Sequence, residues 1–181
     1  LPLDSPAAKQ LGELILVRLG QCPTFIAAAL PLRVLPPRFN RHEDGGAYGN
    51  HIDNALFRMP GSDDYVRADV SCTVFLNDPE EYEGGELVVE DSYGEHRVKR
   101  PAGDMVIYPG TSHHRVEPVT RGARLASFFW TQSLVRSEIN RRTLFELDNA
   151  IQNLATDHPD HASVTDLSGV YHNLLRQWSV T

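Results

Sequence analysis

The stretch from residue 66 to 132 leaves the fewest folds open to this chain. It reads as short alternating segments broken by turn chemistry at a spacing of roughly ten residues. In VRADVSCTVFLND, Val70, Cys72, Val74 and Leu76 share one parity, the period of a strand with one apolar face. PEEYEGG reads as a turn, and ELVVED and EHRVKR flank DSYG as a hairpin. PAGDMVIYPGTSHHRVEPVTRGARLASFFWTQ supplies three more short strands, separated by PG and TRG turns. Short strands at such regular spacing build an antiparallel sandwich or barrel.

Helical patterns lie on both sides. SPAAKQLGELILVRL offers Ser5 as a cap, Pro6 for the first turn, and Leu11, Leu14 and Ile15 at helical spacing. A short second helix fits residues 23–30, and Pro31, Pro36 and Pro37 forbid its continuation. RVLPPRFNRHED then reads as an interrupted strand leading into the loop GGAYGN. After Ser133, SEINRRTLFELDNAIQNLA carries Ile139, Leu144, Leu147, Ile151 and Leu154 at helical spacing, with Ser137 as a cap. DHPDHASVTD reads as a loop before a last helix, LSGVYHNLLRQW. The expected class is mainly β with flanking helices (α+β). Residues 1–132 form a helical N-terminus and a β core, and residues 133–181 a C-terminal helical buttress of the same domain.

Composition narrows the function. The formal charge is −7, and basic residues are scattered among acidic ones, so no basic stripe is present to neutralise phosphates and nucleic acid is not an expected partner. LGELILVRLG is interrupted by Glu13 and Arg18 and is too short to cross a bilayer, so no membrane association is expected. It also lacks the flanks of a signal peptide. Cys22 and Cys72 stand far apart without a CxxC partner and read as free thiols, which points to the cytoplasm. The chain starts at Leu1, so a trimmed or processed N-terminus is the expectation. The terminal helices carry enough apolar surface to leave a homodimer open.

One constellation carries chemistry. In YGNHIDNA, His51 and Asp53 stand two positions apart, and on a strand such a pair shares a side. Two ligands cannot close a metal shell. Two histidines and one carboxylate on one face leave three positions open, the arrangement of non-haem Fe(II) oxygenases. The third candidate lies in GTSHHRVEPV. His113 shares parity with Arg115 and Glu117, a solvent set, so His114 is the better inward ligand. Ten residues later comes Arg124, grouped by parity with Ala126, Phe128 and Trp130. A guanidinium on that face needs an anion, and its own strand offers none. A dicarboxylate would serve, through a two-pronged contact.

These residues resemble the Fe(II)/2-oxoglutarate dioxygenases. YGNHIDNA, LNDPEEYEGGELVVED, the block from Pro101 to Arg136 and GVYHNLLRQW are similar to the bacterial PKHD-type hydroxylases, the prolyl/lysyl hydroxylase domain group, from about Tyr48 to Trp178. The resemblance implies a distorted double-stranded β-helix, or jelly roll, with N- and C-terminal helices. It implies Fe(2+) held by His51, Asp53 and His114 and the distal carboxylate of 2-oxoglutarate held by Arg124. Tyr48 and Tyr108 are further candidates to bond the co-substrate, with packing an equal reading of both. The implied reaction consumes O₂, converts 2-oxoglutarate to succinate and CO₂, and hydroxylates a small molecule or peptide, with L-ascorbate as an auxiliary reductant.

Two other readings stay open at this level. One is a cupin-like sensor or structural metal module without turnover. The other is a cupin-like hydrolase or isomerase in which Arg124 binds the substrate itself. His42, His96, His158, His161 and His172 read as structural or solvated, and the identity of the substrate is not encoded in these patterns.

Overall fold

The computed structural model describes residues 1–180. Helix α1 (Pro6–Gly20) starts where expected: the Ala8 amide donates to Ser5 Oγ, and Pro6 fills the first turn, where its missing N–H costs nothing. Helix α2 (Pro23–Ala29) ends at Leu30, which takes the left-handed conformation at φ 44°.

Twelve strands follow. β1 (Pro31–Val34), β2 (Arg38–Glu43), β6 (Val70–Phe75), β7 (Tyr82–Gly84), β10 (Met105–Pro109) and β12 (Val119–Ser133) make the larger sheet, in which β12 pairs with β1, β2, β6 and β7, and β10 with β6. β3 (Tyr48–His51), β11 (His114–Val116), β8 (Leu87–Asp91) and β9 (Gly94–Val98) form the facing sheet in the order β3-β11-β8-β9. β4 (Leu56–Arg58) and β5 (Tyr65–Arg67) add a hairpin. All pairings are antiparallel, and this two-sheet arrangement with helices at both ends is the jelly-roll class that the sequence implied.

The alternation in β6 has a different meaning from the one the sequence suggested. Every residue of β6 is buried. Val70, Cys72 and Val74 pack with Phe129 against Leu19, Phe25 and Ala29 of the first two helices. The polar parity, Ser71 and Thr73, faces the cavity between the sheets. Leu76 lies beyond the strand end and is part-exposed.

The TRG segment is not a turn. Thr120, Arg121 and Gly122 lie inside the fifteen-residue β12, where the pairing with β7 is irregular. The irregularity falls between Val119 and Arg121; just past it Gly122, paired with Tyr82, sits at φ +71°, and a Cβ there would stand 2.2 Å from the Glu81 carbonyl oxygen, so only glycine fits. The strand carries on past it to Ser133 and so joins the cavity to the C-terminal helices.

Helix α3 (Glu138–Asp157) starts at Ser137, whose Oγ accepts from the Asn140 amide. Helix α4 (Ala162–Trp178) starts earlier than expected, because the His161 ring accepts from the Ser163 amide and caps the turn read as loop. A cluster of Leu30, Val135 and Leu144 ties both helices to the sheet. Among the described residues, no single helix is long and apolar enough to cross a membrane.

Candidate active site

The two sheets enclose a cavity of about 340 Å³. His51 ends β3 and His114 begins β11, and the two strands pair with these residues in register. Their ring centroids lie 4.2 Å apart. Asp53 follows two residues after His51, beyond the strand end, so the turn of the chain and not strand parity alone brings the carboxylate round. The three residues converge: one ligand atom from each lies within 4.8 Å of the others.

Hydrogen bonds set how these groups face one another. His51 Nδ1 donates to the Gly49 carbonyl at 2.8 Å, and His114 Nδ1 to the Ser112 carbonyl at 3.1 Å. A carbonyl only accepts, so each Nδ1 carries a proton and each Nε2 presents its lone pair. Those lone pairs face Asp53: His51 Nε2 is 3.6 Å from Oδ1, and His114 Nε2 is 3.7 Å from Oδ2. Ser71 Oγ donates to Asp53 Oδ2 at 2.6 Å and fixes the carboxylate. Lone pairs facing a carboxylate repel unless a cation sits between them, so this donor set suits a divalent metal. Burial pushes the His114 imidazole below its ordinary range, against the opposing pull of Asp53, which favours the neutral, ligating form.

Arg124 lies on β12 with 1% exposure. Burial lowers its pKa, and the only groups that oppose this are the hydroxyls of Tyr82 and Tyr108. Its Nε and Nη1 have no hydrogen-bond partner. Three further buried polar atoms are equally unpartnered: Asn40 Oδ1, His42 Nε2 and Tyr82 Oη. β2 pairs with β12 so that His42 stands opposite Arg124 and Asn40 opposite Ala126. Tyr82 closes the other flank: a Cβ on Gly85 would touch both its ring and the Arg124 side chain. These orphaned groups form a polar cradle around a buried cation, which is the chemistry of an anion site.

His51, Asp53, His114 and Arg124 thus line one cavity, as does Tyr108. The Tyr108 ring meets His114 edge-on at 5.0 Å, and burial, then the Asp53 charge, pushes its phenol pKa up, so it stays a proton donor. Tyr48 sits at the rim, 56% exposed, with its ring edge against His51. Ser71, Asn40, His42 and Tyr82 escaped the sequence reading. A signal existed for two of them: Arg38, Asn40 and His42 alternate along β2, on the parity that meets Arg124. Tyr82 and Ser71 carried none.

Known proteins resemble this chain along nearly its whole length. Residues 37–132 match the 2OG-Fe(II) oxygenase superfamily, and residues 139–179 the PKHD-type hydroxylase C-terminal domain. A PKHD-type hydroxylase of Delftia acidovorans is 62% identical over 179 residues, spanning 99% of this chain and 79% of that protein. One from Parvibaculum lavamentivorans is 59% identical over 181 residues, spanning 100% and 80%. The solved structure of an oxidoreductase of the 2OG-Fe(II) oxygenase family from Burkholderia pseudomallei superposes with a TM-score of 0.51 over 66% of this chain and 57% of that one; at 20% identity it speaks for the fold alone.

Proposed function

The chain belongs to the 2OG-Fe(II) oxygenase superfamily, as one of its PKHD-type hydroxylases, and on that premise we propose that His51, Asp53 and His114 hold the iron while Arg124 holds 2-oxoglutarate. The enzyme is an oxidoreductase that uses Fe(2+), 2-oxoglutarate and O₂. The metal supplies the oxygen chemistry that couples decarboxylation of 2-oxoglutarate to hydroxylation: R–H, O₂ and 2-oxoglutarate give R–OH, succinate and CO₂.

The chain's residues do the rest. The Nδ1–H bonds to Gly49 and Ser112 aim both imidazoles, and Ser71 orients the carboxylate. With three protein ligands, a bound iron would keep positions free for co-substrate and O₂. Arg124, with the His42 ring and the Tyr82 hydroxyl beside it, offers donors for the distal carboxylate of the co-substrate. Tyr108 adds a protonated phenol beside His114. The single observation that carries this reading is the shared cavity of the three ligands and an arginine with no carboxylate partner.

A non-turnover metal module does not fit the family, and it would leave the Arg124 cradle without a purpose. The free thiols Cys22 and Cys72 support a cytoplasmic setting, and ascorbate would serve to keep the iron reduced. Replacing His51, Asp53 or His114 with Ala should reduce succinate formation from 2-oxoglutarate by at least about a hundredfold. Anaerobic addition of iron and 2-oxoglutarate should give a weak visible charge-transfer band in the parent protein and none in the variants. Normal turnover by His51→Ala would refute the ligand assignment.

A further inference from the structure

Arg124 is one of two arginines on the cavity face of the β2–β12 pair. The other is Arg38, which stands opposite Phe128, four residues along β2 from the position that faces Arg124. At about 3.4 Å per residue, that is roughly 13 Å of strand. A five-carbon diacid that chelates the metal and grips Arg124 does not extend to Arg38 as well.

Arg38 is placed as if for a ligand. Its guanidinium carbon lies 5.1 Å from the Trp130 ring centre and 5.9 Å from that of Phe57. Those rings stack on each other, 4.0 Å apart and 22° from parallel. Contact with the aromatic faces fixes the guanidinium without using its N–H edges. Neighbouring Arg41, Arg58 and Arg67 each hold a carboxylate, whereas Arg38 has none among the described residues. It lines the same cavity as the metal triad.

We propose that Arg38 anchors the substrate, and that the compound hydroxylated is a small carboxylic acid. Its carboxylate takes the two-pronged edge of Arg38. Its hydrocarbon part lies along the Phe57–Trp130 slab and turns a C–H bond toward His51, Asp53 and His114. A cavity of about 340 Å³ that also receives 2-oxoglutarate leaves room for an amino-acid-sized group. The proposal rests on the iron and 2-oxoglutarate assignment above.

The test uses the whole protein, loaded anaerobically with Fe(II) and 2-oxoglutarate, in calorimetric titrations with N-acetylated leucine, valine and proline and with their matching primary amides. At least one acid should bind at least about tenfold more tightly than its amide. Arg38→Gln should erase that difference. Arg38→Lys keeps the charge without the planar fork and should lose about threefold of the preference; it carries the test if Arg38→Gln does not fold. Equal binding of acids and amides across the panel, or an undiminished preference in either variant, overturns the proposal. The charge-transfer band of the parent protein with Fe(II) and 2-oxoglutarate, taken without any probe, is scored separately: its absence would sink the iron and 2-oxoglutarate assignment, whereas its presence with no acid preference sinks only the role of Arg38.

Discussion

At the scale of single residues, Arg124 is the one that makes least sense without a ligand. A guanidinium taken out of water costs several kcal/mol unless an anion meets it, and here the groups that oppose this are the Tyr82 and Tyr108 hydroxyls, with no carboxylate among the described residues paired to it. The folded protein carries this strain because the site needs a fixed cation in a dry place. Arg124→Met should therefore raise the stability of the unloaded protein by about 1–3 kcal/mol while abolishing its response to 2-oxoglutarate. Thermal melts with and without iron and 2-oxoglutarate check this. The parent should melt higher with both present, and the variant should start higher and not move. A variant that melts lower and still responds would contradict the account.

At the scale of elements, β12 does most to organise the molecule. Its first residues pair with β7 through the irregularity between Val119 and Arg121, its middle carries Arg124, and its end meets the C-terminal helices. The junction is polar as well as apolar. Arg141 of α3 donates to the carbonyls of Val135, Arg136 and Asp69, and the Asp69 carboxylate accepts from the Ser133 amide. Leu144, fully buried, fills the space beneath. We propose on this ground that α3 and α4 unfold together with the β core. Leu144→Ala should cost about 2–5 kcal/mol. Calorimetry should show one transition moving down as a whole, not a new early transition from a detached helical pair.

At the scale of the whole molecule, the cavity sets how stability responds to pH. Burial holds both His42 and His114 below the ordinary histidine value of 6.5, and the Arg124 charge adds to the effect on His42. The unfolded chain thus binds protons at these sites more tightly than the folded one. Stability from these groups is fully present above about pH 6.5 and is lost as pH falls below it. Denaturant melts of the metal-free protein at pH 7.5 and 5.5 should show the midpoint dropping at the lower pH. His42→Gln should reduce that drop, and an unchanged pH dependence in this variant would remove His42 from the explanation.

What the sequence determined by itself was local. Period-two alternation announced the strands, Ser5 and Ser137 marked the starts of two helices, and the pattern of His51, Asp53 and His114 singled out three side chains that converge in the fold. What only the tertiary structure decided was register across long separations. Ser127 on β12 bonds to the Arg38 carbonyl 89 positions earlier in the chain, and through that pairing Asn40 and Arg38 come to face the cavity and His42 to stand opposite Arg124. The same holds for β6, whose polar parity, Ser71 and Thr73, turns to an internal cavity, while the helices cover its apolar parity. A side chain's period is set by its neighbours in sequence, but its partner is set by which strand lies opposite, and no local pattern carries that information.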